Sequence, residues 1–124
     1  MIISLIALQA AFTCSVVSVH DGDTFTCQGG TRVRLAAIDA PEVGECPSYR
    51  RCAPGDGQAS RRALNALAWR RQARCEPNGQ SYDRITAFCA VPGAGDLSCA
   101  MLRARQAIYL PRFDPGRRLD RCRR

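Results

Sequence analysis

Residues 14–35, CSVVSVHDGDTFTCQGGTRVRL, decide the architecture. Val16, Val17, Val19, Thr24, Thr26 and Val33 are β-branched, and such side chains favour the pleated, half-buried surface of a strand. DGD (21–23) and QGG (28–30) interrupt them with turn-forming residues, so the stretch predicts three strands joined by two hairpin turns. Arg32 and Arg34 alternate with Val33 and Leu35, which puts guanidinium groups on one face of the third strand and apolar side chains on the other. Asp21 and Asp23 are two apart and leave the same face if the chain between them is extended.

Downstream, APEVGECPSYRRCAPGDG (40–57) is too rich in Pro, Gly and Cys for regular structure and reads as an exposed loop pinned by Cys46 and Cys52. Asp56 then offers an N-cap to a helix in which Ala59, Ala63, Leu64, Leu67 and Ala68 recur at helical spacing. Arg61, Arg62, Arg70 and Arg71 fall mostly on its other faces. ARCEP (73–77) and ITAFCAV (85–91) read as two further strands, with Asn78 and Gly79 as the turn between them. Asp96 caps a second helix whose stripe of Leu97, Ala100, Met101, Ala104 and Ile108 is core. In the Arg-rich tail from Pro111 onward, Cys122 alone suggests attachment.

Three strands, a helix, two strands and a helix predict a mainly β fold with helices (α+β), a five-stranded Greek-key barrel of the OB-fold type with two or three helices. The 124 residues show no internal repeat or low-complexity linker, so one domain over 12–124 suffices. The apolar start, MIISLIALQAAF, is too short to span a bilayer as a helix and ends in small residues. Residues 1–11 therefore read as a signal peptide, the alternatives being a first strand or a mis-set start.

Eighteen basic residues against 11 acidic give a formal charge of +7 and favour polyanionic partners. All eighteen are Arg, whose planar fork holds a phosphate through two hydrogen bonds. Ordinary hydrophobic and charged fractions argue against disorder and against a membrane-spanning chain. Eight cysteines without a CxxC pair, and a single histidine, His20, exclude the usual zinc sets and indicate disulfides formed in an oxidising compartment. Eight cysteines admit 105 pairings. Loop length favours near neighbours: Cys14 with Cys27, Cys46 with Cys52, Cys75 with Cys89, and Cys99 with Cys122.

The chemistry concentrates in VHDGDTF (19–25), VRLAAIDAPE (33–42) and YDR (82–84). These words place carboxylates and arginines in segments that a meander brings side by side. Packed carboxylates repel one another, and a hard cation such as calcium relieves the repulsion through oxygen ligands. Phosphodiester cleavage needs an activated water and charge stabilisation on the phosphoryl group, which a metal, Glu and Arg can supply together.

DGDTF, then RLAAIDAPE, then YDR resemble the staphylococcal nuclease (thermonuclease) family over most of residues 14–110. The resemblance implies a calcium-dependent hydrolase that cuts DNA or RNA on the 5′-oxygen side and leaves 3′-phosphate ends. It implies Asp23 and Asp39 as direct calcium ligands with the Ala40 backbone carbonyl, and Asp21 acting through water. Glu42 would orient or deprotonate the attacking water, Arg34 and Arg84 would clamp the scissile phosphate, and Tyr82 would meet a neighbouring phosphate. His20 is only a neighbour of this site. Asp83 stands where the family usually has Gly. The expected protein is a monomer, secreted or periplasmic, free of the membrane after processing, with DNA or RNA as its substrate. The competing reading is a non-catalytic OB-fold module that binds nucleic acid.

Overall fold

The computed structural model describes residues 10–122; residues 1–9, where most of the signal-peptide reading falls, lie outside the described residues. The strands β1 (Phe12–Asp21), β2 (Thr24–Cys27) and β3 (Arg32–Leu35) form the expected meander, turning at DGD and QGG. Strands β5 (Gln72–Ser81) and β6 (Arg84–Val91) add to the far side of β1. The parallel pairing of β3 with β6, Val33 opposite Ile85 and Leu35 opposite Ala87, then closes a five-stranded barrel. With the helices α1 (Gly57–Ala68) and α2 (Leu97–Arg103), this is the α+β OB-type barrel expected. A short β7 (Gly95–Asp96) pairs antiparallel with the end of β6, and β4 (Ile38–Asp39) pairs with β8 (Ile108–Tyr109) in a separate ribbon.

The core follows the apolar pattern. Phe25, Val33, Leu35, Leu64, Ala73, Ala87 and Leu97 are fully buried, and each large apolar side chain among them contributes about 1.5–3 kcal/mol on burial. In β1, Cys14 and Val16 point inward and Val17 outward, and a register shift between Val16 and Ser18 then turns Val19 into the core. Both predicted caps form: Asp56 accepts from the backbone N–H groups of Gln58 and Ala59, and Asp96 from that of Cys99. All four predicted disulfides are present.

Three expectations need correction. The β5–β6 turn is not at Asn78-Gly79. β5 runs through these residues with a register shift between Pro77 and Gly79, and the chain reverses at Tyr82-Asp83, where Tyr82 adopts φ +57°. The second helix does not reach Ile108. It stops at Arg103, Gln106 N–H donates back to the Met101 carbonyl, and Arg105 turns left-handed at φ +58°. This satisfies the orphan carbonyls at the helix end and frees Ile108 to pair with Asp39. Nor does the tail depend on Cys122 alone. Leu119 is fully buried, and buried Asp114 accepts from Tyr109 Oη and from the Leu119 backbone N–H.

Candidate active site

The site sits where the β1–β2 turn, the β3–β4 segment and the loop before α1 converge. Gly22, the middle residue of DGD, matters because of space. A Cβ there would collide with the Ser60 side chain and press on Ala40, so only glycine lets the turn seat against α1. Asp21 and Asp23 flank it. The Asp23 backbone N–H donates to Asp21 Oδ1 at 3.0 Å, and Asp23 Oδ2 accepts from the Ala40 backbone N–H at 2.9 Å. The second bond ties the DGD word to the DAPE word.

Asp39 is held by the β4–β8 ribbon and is 9% exposed; Asp23 is 5% exposed. Between them lies Arg34. Its Nη2 is 3.4 Å from Asp23 Oδ2 and 3.3 Å from Asp39 Oδ1. Arg34 sits opposite Thr24 on β2 and beside Thr86 on β6, so the barrel's closure fixes its origin. Arg84 joins the same face. Its Nη1 is 3.4 Å from Thr24 Oγ1, which itself donates to Asp23 Oδ1 at 2.9 Å, and its Nη2 donates to Ser81 Oγ.

Burial first, then the charge of Asp23, the side-chain hydrogen bond with Asp23 and the charge of Glu42 push the Asp21 carboxyl up to about 7, against the Asp23 backbone N–H, which lowers it. Glu42 thus completes a group of four carboxylates. Gly57 opens α1 so close to it that a Cβ would run into the Glu42 backbone carbonyl. Among the described residues no three His, Cys, Asp or Glu side chains gather as a ready coordination set. Guanidinium groups balance the carboxylates here. The side chains that do come near one another are all oxygen donors, the kind a hard cation takes, and burial first, then Asp23 and Glu42, raises the Asp21 carboxyl.

Six of the seven side chains expected at the metal and the phosphate lie together, Asp21, Asp23, Asp39, Glu42, Arg34 and Arg84, and from Ala40 it is the backbone N–H that bonds Asp23. Tyr82 lies at the hairpin tip, 95% exposed. Asp83 pairs with Arg32 at 3.1 Å, away from Arg84. His20 bonds Thr26 Oγ1 at 2.6 Å, and burial followed by the charges of Arg32 and Arg61 lowers its pKa.

One participant escapes the sequence reading. Arg50, in the loop closed by Cys46–Cys52, places Nη2 3.3 Å from Asp39 Oδ2 and Nη1 3.0 Å from Glu42 Oε1. The only sequence signal was the disulfide staple soon after DAPE, which restrains what the loop carries. Beside Arg34 a hollow of about 460 Å³ runs past Gly79, Gln80 and Ser81 to the half-exposed ring of Phe113.

No protein-family model matches the chain. The chain is similar to a protein of Haemophilus influenzae (strain ATCC 51907 / DSM 11121 / KW20 / Rd) named "Uncharacterized endonuclease", with 36% identity over 80 residues, 60% of this chain. It spans about 40% of the length of that relative.

Proposed function

We propose that the chain is a calcium-dependent nuclease of the thermonuclease type, hydrolysing the phosphodiester bonds of DNA or RNA to 3′-phosphate products. The observation that carries this reading is the junction of Asp23, Arg34 and Asp39, with Arg84 tied to it through Thr24 and Glu42 beside it. The similarity to a protein named an endonuclease supports the same reading.

The division of labour follows from charge and exposure. The Arg34 side chain is 18% exposed and already desolvated, so its fork meets a phosphate oxygen in a low-dielectric setting where the bond is strengthened. Arg84 approaches from the neighbouring strand, and two forks fix the ester's orientation. The Glu42 side chain is 29% exposed and reaches solvent, as a group that accepts a proton from an attacking water must. Asp23 and Asp39, with the Ala40 carbonyl and with Asp21 behind them, would hold a calcium ion, whose bound charge would offset the negative charge developing on the phosphoryl oxygens. Asp23 and Asp39 also hold Arg34 in place, which positions its fork before substrate arrives.

The four disulfides fit a protein folded in an oxidising compartment, and we assign it to the periplasm or the exterior, acting as a monomer. Among the described residues no helix is long and apolar enough to cross a membrane. Purified protein incubated with plasmid and with single-stranded RNA should degrade them with calcium and spare them with EGTA. Glu42→Ala should lower kcat about 10²- to 10⁴-fold without unfolding the chain. Salt-sensitive binding without any cleavage would replace the enzyme with a binding module.

A further inference from the structure

The surface between α1 and β1, outside the carboxylate site, carries a second set of residues suited to nucleic acid. Trp69, the sole tryptophan, caps the C-terminal end of α1 and is 47% exposed. Val17, turned outward on β1, is 50% exposed. Arg61, Asn65 and Trp69 lie at i, i+4 and i+8 and so share one helix face. With Val17 and Val19 they line a groove of about 310 Å³, which shares Val17 and Trp69 with a second hollow of about 590 Å³ reaching Arg70 and Arg71.

The groove is built, and its floor is fixed. Arg70 N–H donates to the Val16 carbonyl at 3.0 Å, and Val16 N–H to the Arg71 carbonyl at 2.9 Å. Arg70 adopts φ +61° and its guanidinium lies 5.2 Å from the centre of the Trp69 ring. At the other end Arg61 Nε donates to the Val19 carbonyl at 3.1 Å, and Val19 is two residues from Asp21. Eight helical residues from Arg61 to Trp69 span about 12 Å. The groove thus leads from the carboxylate end of β1 to the indole.

Its charge has one sign. Residues 57–75 hold five arginines and no carboxylate, and residues 12–19 hold no charge at all. Among the described residues Arg61, Arg70 and Arg71 form no ion pair. An exposed indole amid unpaired arginines matches unstacked bases on a phosphate backbone, because every base offers a face for stacking and each linkage a charge. A duplex hides its base faces, and an apolar protein partner would leave the arginines without counter-charge.

The geometry points to a single-strand docking groove at Trp69, Arg70 and Arg71, which holds the part of a DNA or RNA strand lying beyond the cleaved linkage. That last role rests on the nuclease reading; the binding itself does not.

The test separates the two. In EDTA buffer, where no turnover is expected, Trp69 fluorescence is titrated with a dT12 oligonucleotide, with an abasic 12-mer of the same charge and with heparin. Saturable quenching by dT12 that exceeds both controls is expected, and equal quenching by all three removes the stacking role. Trp69→Ala, followed by anisotropy of labelled dT12, should weaken binding about five- to a hundredfold. Arg70→Gln/Arg71→Gln keeps the indole and should weaken binding and flatten its salt dependence. Unchanged binding in either folded variant, checked by circular dichroism, overturns the groove. Quenching by dT12 in a protein that never cleaves would retain the groove and reject the nuclease.

Discussion

Arg50 Nη1 stands 3.0 Å from Glu42 Oε1, and Nη2 of the same guanidinium reaches both oxygens of Asp39 at 3.3 and 3.4 Å. A loop residue therefore places a positive charge on two of the carboxylates that the proposed chemistry needs. Toward Asp39 it competes with a cation; toward Glu42 it fixes an otherwise solvated side chain. Arg50→Gln should lower the calcium concentration needed for half-maximal activity two- to fivefold, the scale of about 0.2–1 kcal/mol for a partly exposed pair. It should also lower kcat, because Glu42 loses its anchor. Calcium titrations of activity for both proteins would reveal the split, and an unchanged calcium requirement counts against the competition.

Opening the Cys46–Cys52 staple should reproduce that phenotype. A loop so short restrains the unfolded chain little, so Cys46→Ser/Cys52→Ser costs about 2 kcal/mol on the chain-entropy estimate. Removing Cys75–Cys89, which ties β5 to β6 across 14 residues, should cost about 3 kcal/mol. Urea denaturation ranks the two variants, and the staple variant should show the lowered calcium requirement of Arg50→Gln while the barrel variant does not.

Gly57→Ala offers a contest of signs. Helix propensity alone favours alanine by about 1 kcal/mol inside a helix, but here the new Cβ meets the Glu42 backbone carbonyl. Overpacking against backbone typically costs about 1–3 kcal/mol. The variant should therefore be less stable in urea and less active, with Glu42 displaced. A stabilised, fully active Gly57→Ala would mean that α1 and Glu42 are not in this close contact.

In chelator, the partly buried Asp21 should tie stability to pH. Its carboxyl is raised from 3.8 to about 7 by burial first and by Asp23 and Glu42 after it. Between those values the folded chain keeps a proton that the unfolded chain releases, so raising the pH through this window removes stability. Melting temperatures in EDTA should fall from pH 4 toward pH 8. Asp21→Asn, uncharged throughout, should flatten that slope and melt higher at pH 8; an unchanged slope would exclude Asp21 as its source.

Much of this was legible because local rules and the fold agree. The meander followed from Val16 to Leu35, the caps from Asp56 and Asp96, and the disulfides from proximity along the chain. Convergence of DGD, DAPE and Arg84 was expected from the meander together with the resemblance, and closure of β3 on β6 brings Arg84 in. What escaped depends on contacts remote in sequence. Asn78-Gly79 is an ordinary turn word, but ladder pairing with β6 carries β5 past it to Ser81. Ile108 continues a helical rhythm, but pairing with Asp39 claims it for a strand. Arg50 lies in a loop without periodicity, so neither its direction nor its two carboxylate partners could be read before the chain was folded.

Arg34 provides the sharpest test of the site. One nitrogen, Nη2, serves Asp23 and Asp39 together while Nη1 faces the Leu35 carbonyl. The fork is thus oriented by three oxygens on different segments. Lysine would keep the charge but has no planar fork, so it can neutralise the carboxylates without presenting two parallel donors to a phosphate. Arg34→Lys should therefore leave the melting temperature close to that of the parent, whereas Arg34→Ala should lower it by taking from buried Asp23 its one ion pair among the described residues and leaving Asp39 with Arg50 alone. Both should lose about 10²- to 10³-fold in kcat/KM on an oligonucleotide, the usual cost of removing one donor to a developing phosphoryl or acyl charge. If Arg34→Lys cleaves within a few-fold of the parent, the residue serves the carboxylates alone, and the phosphate clamp must be sought in Arg84 or Arg50.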